Sequence, residues 1–167
     1  MTPEQQQAIE EFRRLRGTDP FGPFIALLTS PELLTKVSAL GEFLRYRSAL
    51  PPRLSEFVIL ITAAHWRQQY EWDLHAPIAL DAGVAQATLD ALASGQRPEG
   101  LAEDEAALFE FCRAVHDRIP PGEKLHARAV QAVGEQGVTD AIGICGYYAL
   151  LAMVLNVENR PLTPTDS

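Results

Sequence analysis

Apolar residues recur along most of the chain at the spacing of three and four positions that lines one face of an α-helix. The segment after Pro31 shows this spacing clearly, at Leu33, Leu34, Val37, Leu40 and Leu44. No segment shows a convincing alternation of apolar and polar residues with a period of two, so no sheet is expected. The pattern predicts an all-α fold, a bundle of about seven to eight helices.

Two consecutive predicted helices, over residues 52–69 and 70–82, hold most of the residues that can carry chemistry. Pro52 suits the first turn of the earlier helix, because an amide hydrogen there has no partner inside a helix. Residues 57–64 of that helix are apolar apart from Thr62. We therefore expect the helix over residues 52–69 to be buried on most of its sides.

Proline and glycine predict further interruptions along the chain. Pro77 lies inside the predicted helix over residues 70–82, where it removes one backbone donor and clashes with the carbonyl of Asp73. A kink or a helix restart is expected at that point. Near the C-terminus, Gly137 is expected to close a helix over residues 124–136, before a last helix that runs to about residue 157.

The composition is that of an ordinary globular protein. The chain has 167 residues, of which 47% are hydrophobic and 22% charged, and this length fits a single domain over residues 1–167 with a substantial core. The net charge is −8 and the isoelectric point is about 4.9. Nucleic acids and anionic membranes are not expected as partners, because both attract cationic surfaces.

The distribution of apolar residues bears on localisation. The N-terminal segment lacks the short apolar run of a secretory signal. The longest charge-free apolar stretch, residues 141–157, contains two glycines and a pair of tyrosines. It falls short of the roughly 20 residues that span a bilayer, so it is interpreted as a buried helix. We therefore expect a cytoplasmic protein.

Cysteine and histidine spacings match no metal motif. Cys112 and Cys145 lie far apart in sequence, which favours free, buried thiols over a disulfide framework or a metal knuckle. The spacing of His65, Glu71 and His75 is unlike that of known zinc motifs, so no metal is expected. His116 and His126 lie on polar helices and are expected to be solvated.

Basic residues concentrate in one part of this acidic chain. Between residues 43 and 70 the only acid is Glu56, and the basic residues are Arg45, Arg47, Arg53 and Arg67. Brought together in space, these arginines would attract an anionic substrate. The alternative is that they are solvated helix faces or ion-pair partners, which contribute little.

Glu56 and His75 form a candidate proton-transfer pair. Glu56 stands at the head of a mostly apolar helix, and His75 lies on the next helix. Helices joined by a short connection usually pack against each other, so the two side chains can meet. The alternative is that Glu56 complements the helix dipole and that His75 is a core residue bonded to a carbonyl.

The same segment resembles the signature of the carboxymuconolactone decarboxylase family, also called AhpD-like. Its redox members carry a Glu, then a CxxC pair, then a His four residues after the second Cys. The matching residues are Pro52, Arg53, Glu56, His75, Ala79 and Gly83, and the late segment from Gly146 to Asn156 resembles the end of the family pattern. The likeness spans about residues 23–161 and implies an AhpD-like helical bundle that forms a dimer, trimer or hexamer.

The sequence departs from the redox members at both cysteine positions, which hold Gln68 and Glu71. Alkylhydroperoxide reduction needs a thiolate that attacks the peroxide and a second cysteine that resolves the product. Neither residue can do this, so peroxidase activity at this motif is disfavoured. The chain is closer to the cysteine-free branch, which resembles the lactone decarboxylase of aromatic catabolism.

The resemblance implies a cofactor-independent enzyme acting on a small carboxylated metabolite, by decarboxylation or related acid–base chemistry. His75 would be the general acid–base, Glu56 would orient the imidazole, and Glu71 is a further catalytic candidate at a helix start. The candidate substrate-binding residues are Tyr70, Trp72, Trp66, Gln68, Arg45, Arg53 and Arg67. The alternative is a non-catalytic helical homo-oligomer that binds a ligand or partner.

Overall fold

The computed structural model describes residues 1–158, which form eight α-helices and no strand. The helices are α1 (Pro3–Arg16), α2 (Pro23–Leu27), α3 (Pro31–Tyr46), α4 (Pro52–Trp66), α5 (Gln69–Asp81), α6 (Gln86–Ala93), α7 (Glu103–His116) and α8 (Gly122–Glu158). The predicted all-α architecture is confirmed. The end of the predicted domain core, at residue 161, lies outside the described residues.

Helix α4 is the centre of the bundle. Every residue from Leu54 to Ala63 is buried, including the polar residues Ser55, Glu56 and Thr62. The helix packs against α5, α7 and α8, so it has no solvent-facing side over this length. Burial of so many large aliphatic side chains is the main force that fixes α4 and any polar side chain it carries.

Helix α4 ends earlier than predicted. Its last residue is Trp66, and Arg67 adopts a left-handed conformation with φ 50°. This reversal allows Gln68 to cap the start of α5, where its side chain accepts a hydrogen bond from the Tyr70 amide. The tight α4–α5 connection packs the two helices together and brings their buried faces into contact.

Pro77 does not interrupt α5, contrary to the predicted kink or restart. The helix is continuous over Gln69–Asp81 and has no residue outside helical geometry. Both Pro77 and Asp73 are exposed. Water can therefore bond to the Asp73 carbonyl that proline leaves without an amide partner, which lets the helix continue.

The break in α8 also differs from the prediction. It falls at Gly134, whose φ of 76° and ψ of 167° are non-helical, and not at Gly137. Gly137 stays helical, and a Cβ there would crowd Val133 and approach Leu50. The first glycine provides backbone freedom and the second allows close packing. By length and apolar composition α8 could span a membrane, but 56% of its most apolar window is buried in this bundle.

Helices α2 and α3 pack against α8, and α1 packs against α3. Phe12, Phe21 and Phe24 form an aromatic cluster between α1 and α2, with ring centroids 5.0–6.1 Å apart. Gly41 on α3 leaves room for the Tyr147 phenol of α8 and for the Arg16 guanidinium of α1. A small residue on α3 therefore determines how closely these two polar groups can approach the core.

We predict opposite stability effects for alanine at two helical glycines. Gly41→Ala should lower the free energy of unfolding by about 1–3 kcal/mol, because the added methyl overlaps Tyr147 and Arg16. Gly146→Ala on α8 is the matched control, since its Cβ would meet no atom within 4 Å. Gly146→Ala should raise the free energy of unfolding by up to about 1 kcal/mol. Urea unfolding measures both, and equal effects would contradict this account of Gly41.

Candidate active site

A buried imidazole lies at the centre of the site. His75 on α5 is 1% exposed, and its Nδ1 is 2.6 Å from Oε2 of Glu56 on α4. Because the carboxylate can only accept, the Nδ1–H donates and the neutral ring keeps a lone pair on Nε2. The two residues that sequence analysis paired are thus brought together, and Glu56 sets the orientation and tautomer of the imidazole.

Glu71 lies on the other side of the same imidazole. It is one helical turn before His75 on α5, is buried, and holds Oε2 3.6 Å from His75 Nε2. This distance is too long for a direct hydrogen bond, but one atom of a substrate or a water can bridge it. The free nitrogen of His75 therefore faces a second carboxyl group.

Burial raises the pKa of Glu71 to about 7, although the positive charge of Arg45 acts in the opposite direction. Near neutral pH this carboxyl group therefore exists in both its protonated and its ionised form. The proton of Glu71 and the lone pair of His75 Nε2 face the same gap. The arrangement can donate a proton to, or accept one from, an atom that lies beside both groups, within hydrogen-bond reach of each.

Two arginines supply positive charge beside the carboxylates. Arg45 on α3 has Nη2 3.9 Å from Glu56 Oε1, and Arg16 on α1 donates to Tyr147 Oη and to the Ser38 carbonyl, each at 3.4 Å. The Nε atoms of both arginines are buried and have no hydrogen-bond partner among the described residues. Unpaired guanidinium donors of this kind favour an anionic ligand.

Tyr147 and Tyr148 of α8 form the wall opposite α5. The Tyr148 ring stands edge-on to the His75 imidazole at 5.1 Å between centroids. Burial raises the pKa of Tyr147 to about 12 and that of Tyr148 well above its usual value. Both phenols therefore stay protonated over the physiological range and act as neutral hydrogen-bonding groups.

The cavity between these side chains is small. The cavity measures about 20 Å³ and is lined by His75, Glu71, Arg45, Arg16, Tyr70, Tyr147, Tyr148 and apolar residues of α2, α5 and α8. This is room for about one water molecule. Tyr70 reaches its outer side and lies directly against Gly22, whose φ of 51° favours glycine. An organic substrate can enter only if Tyr70 or a neighbouring side chain moves.

Gln68, at one cysteine position of the redox signature, has a structural environment. It is buried, its Oε1 accepts from the Tyr70 amide, and its Nε2 donates to Asn156 Oδ1 at 2.7 Å. These bonds cap α5 and tie it to α8. The oxygen and the nitrogen of the Gln68 amide therefore both have partners. Gln68 does not line the cavity.

Several candidate residues lie away from this cavity. Arg53 pairs with Asp104 and Glu105 of α7, each at 2.5 Å. Arg67 and Trp66 line separate surface grooves, and Trp72 is a half-buried residue packed against the core. Arg47 is exposed and bonded to Glu42. Of the arginines in the basic segment, only Arg45 lines the cavity.

Arg16 was missed as a site residue because it is distant in sequence and has only a helix-end position to mark it. Tyr147 and Tyr148 were visible only as part of the late segment that resembles the family pattern.

His126 is exposed as predicted, whereas His116 is half-buried and contacts Thr62 Oγ1 at 3.0 Å. The expectation that His116 is solvated is therefore wrong. Among the described residues, no group of three or more His, Cys, Asp or Glu could hold a metal ion.

We predict a pH-dependent stabilisation by Glu71→Gln. Between pH 4.5 and about 7 the unfolded chain has lost the Glu71 proton and the folded chain retains it, so folding stability falls as the pH rises. This loss amounts to about 3 kcal/mol and is absent from the variant. In urea unfolding, the free energy of unfolding of the variant should rise relative to that of the wild type as the pH passes from below 4.5 to above 7.

The matched control is Asp73→Asn, which removes a carboxylate from the solvent side of the same helix. Its difference from the wild type should change far less with pH, because Asp73 is exposed. A Glu71→Gln difference that is equal at both pH values would show that burial does not hold the Glu71 proton in the folded state.

Comparisons with known proteins identify the family of this chain. No curated protein matches the sequence significantly. Two solved structures of the debrominase Bmp8, one of the apo protein and one of a cysteine-to-alanine variant with 2,3,4-tribromopyrrole, match with a TM-score of 0.70. Both share 15% sequence identity, over 97% of this chain and 87% of that chain, and so show the fold alone. The sequence profile of the carboxymuconolactone decarboxylase family matches residues 31–114, half of the chain, and the protein belongs to this family.

Proposed function

We propose that the protein is a cofactor-independent acid–base enzyme that acts on a small carboxylated metabolite, by decarboxylation or a related proton transfer. The observation that carries this proposal is the buried row of Glu56, His75 and Glu71. In it, one carboxylate fixes the imidazole, and a second carboxyl group with a pKa of about 7 faces the free nitrogen. The name of the family supports an unsaturated lactone carboxylate as substrate class.

In a decarboxylation the bond between the substrate's carbon and its carboxylate breaks, carbon dioxide leaves, and the electron pair stays on carbon. That carbon needs one proton. The gap between Glu71 and His75 is where a reacting atom can take it, and water later restores the proton to the pair. Glu56 stays ionised in this scheme and stabilises the imidazolium that forms when His75 holds the proton.

Arg45 and Arg16 suit the binding of a second anionic oxygen of the substrate. A guanidinium that bound the departing carboxylate would stabilise the reactant and slow its loss. Bound to a different carboxylate, or to an oxygen on which charge develops, the same arginine aids the reaction. The unpaired Nε atoms of both arginines beside the cavity favour this second role.

A second candidate function is ligand binding without catalysis, by a helical homo-oligomer. The small size of the cavity favours it, because about 20 Å³ holds no organic substrate in the described conformation. In that case the buried acid–base row would be a structural remnant. The two candidates differ in turnover, and in whether Tyr70 opens the cavity to a ligand.

We predict that His75→Gln and Glu71→Gln each lower kcat by at least about 100-fold, because proton transfer by a positioned side chain contributes that much. The measurement is release of carbon dioxide from a panel of unsaturated lactone mono- and dicarboxylates and 3-oxo acids. The wild-type kcat should also fall as the pH rises through about 7, because Glu71 then loses its proton.

Asp73→Asn, on the exposed side of α5, is the control and should keep wild-type kcat. Thermal unfolding must show that each variant remains folded. Full turnover by either glutamine variant would refute the assignment of His75 and Glu71. A wild type that binds these acids but never releases carbon dioxide would favour the second candidate function.

For the arginines, we predict that Arg45→Met weakens binding of a substrate dicarboxylate by about 10- to 100-fold, as expected for loss of a charged hydrogen bond. Arg47→Met is the matched control, since Arg47 lies two residues away, is exposed and pairs with Glu42. Isothermal titration calorimetry measures both affinities. Equal affinities for the two variants would exclude Arg45 as the anion-binding residue.

A further inference from the structure

A second cavity lies where α6 and α7 both pack against α4. This α4–α6–α7 groove measures about 440 Å³, a volume typical of small-molecule sites. Its lining includes three apolar and three basic side chains, those of Ile61, Leu92, Phe109, His65, Arg67 and Arg113. Within the described part of the chain it shares no lining residue with the cavity at His75. The groove is therefore a separate candidate site.

The floor of the groove is apolar. It is formed by Ile61 of α4, Leu92 of α6 and Phe109 of α7, all of which are buried. An apolar ligand group that covers these three residues is removed from water on that side, which favours binding. The groove is therefore suited to an organic molecule and not only to a hydrated ion.

The charged lining of the groove is basic, although the chain carries a net charge of −8. Arg67 and Arg113 line it, and none of its described lining residues is an acid. The C-terminal end of α6 also reaches the groove, and its partial negative charge of about half a unit acts against an anion. Two full positive charges outweigh this effect, so the groove favours an anionic ligand.

Arg67 has a backbone conformation that glycine adopts more readily. Its φ of 50° and ψ of 40° are left-handed, and its amide donates to the Ala63 and Ala64 carbonyls at the end of α4. Glycine is the usual residue at such a helix end, because a Cβ makes this conformation costly. Among the described residues the Arg67 side chain forms no ion pair and no hydrogen bond. Packing inside the protein therefore does not explain an arginine at this position, whereas ligand binding does.

Arg113 places a second positive charge beside the aromatic part of the floor. Its Cζ lies 5.7 Å from the centroid of the Phe109 ring. Its Nη2 lies 3.7 Å from Oδ2 of Asp117, which is too long for a hydrogen bond, and both side chains are exposed. Such an ion pair contributes little and leaves the guanidinium donors available. Positive charge and apolar floor are thus adjacent, as an anion with an apolar body requires.

We propose that the α4–α6–α7 groove binds a small organic carboxylate whose apolar body is about the size of a benzene ring. The guanidinium groups of Arg67 and Arg113 bind the carboxylate. The body of the ligand covers Ile61, Leu92 and Phe109. This site uses no side chain of the acid–base row, so it does not depend on the proposed enzymatic function.

His65 makes the proposed binding depend on pH. Burial, followed by the charge of His116, lowers the pKa of His65; Arg113 acts in the same direction and Asp117 in the opposite one. The ring is therefore neutral near pH 7. Among the lining residues of α6 and the turn after it, none is ionisable. A bound carboxylate favours the imidazolium, so the pKa of His65 should rise on binding, and affinity should increase as the pH falls.

The first test is isothermal titration calorimetry of the full chain with benzoate, with benzamide as the uncharged control and acetate as the anion without a ring. We expect saturable binding of benzoate, and binding of the other two that is at least about tenfold weaker. In backbone-amide NMR, benzoate should shift the signals of residues 92–96, Arg67 and Arg113.

Three outcomes would overturn the proposal. The first is the absence of saturable benzoate binding. The second is binding of benzamide or acetate as tight as that of benzoate, which would exclude recognition of both charge and ring. The third is a benzoate response confined to amides near His75, which would assign the carboxylate to the acid–base cavity.

Arg67→Gly separates binding from stability. It should weaken benzoate binding by about tenfold or more, as expected for loss of a charged hydrogen bond. The midpoint of thermal unfolding should stay equal or rise, because glycine relieves the left-handed backbone. Arg118→Gly is the matched control, since Arg118 also has a positive φ, of 60°, and does not line the groove.

Arg118→Gly should keep the wild-type affinity for benzoate. An equal loss in both glycine variants would show that only overall charge matters, and would contradict the groove as the binding site. Arg45→Met, which alters the acid–base cavity, should leave the benzoate response of residues 92–96 unchanged. Failure of the proposed enzymatic function is thereby distinguished from failure of this site.

Discussion

The structure depends on the burial of a polar row inside an apolar helix bundle. Glu56 lies on a helix whose residues from Leu54 to Ala63 are all withdrawn from water. An isolated carboxylate there would be costly, so it must be paired. The 2.6 Å bond to His75 provides the partner and fixes α5 against α4 in one register. The packing that stabilises the fold is thus inseparable from the geometry of the site.

The same burial accounts for the chemistry of Glu71. Arg45 is the positive charge that acts on Glu71, but it also faces Glu56 at 3.9 Å and cannot fully compensate two carboxylates. Glu71 therefore holds its proton to about pH 7 and reduces folding stability at higher pH. Glu71 thus reduces stability and is partly protonated beside the fixed imidazole of His75. Such a combination is typical of proton-transfer sites and is not expected from selection for stability alone.

Local sequence patterns predicted the helices and the Glu56–His75 pair well, because apolar periodicity and a short connection between helices are both local signals. They did not predict Arg16 as a site residue. Arg16 meets Ser38 of α3 and Tyr147 of α8 only through the packing of these helices, which no spacing along the chain encodes. The errors at Pro77 and Gly137 have a related cause, since exposure in one case and close packing in the other decided the outcome.

Helices α4 and α8 each carry polar side chains at two separate places in the bundle. Glu56 and Tyr148 face the imidazole of His75, whereas Thr62 contacts His116 and Cys145 lines the groove beside His116. The residues of α4 between Glu56 and Thr62 are fully buried and apolar, so their side chains form no hydrogen bonds between the two places. The apolar stretch of α4 therefore separates the acid–base row from the polar side chains near the other end of the helix.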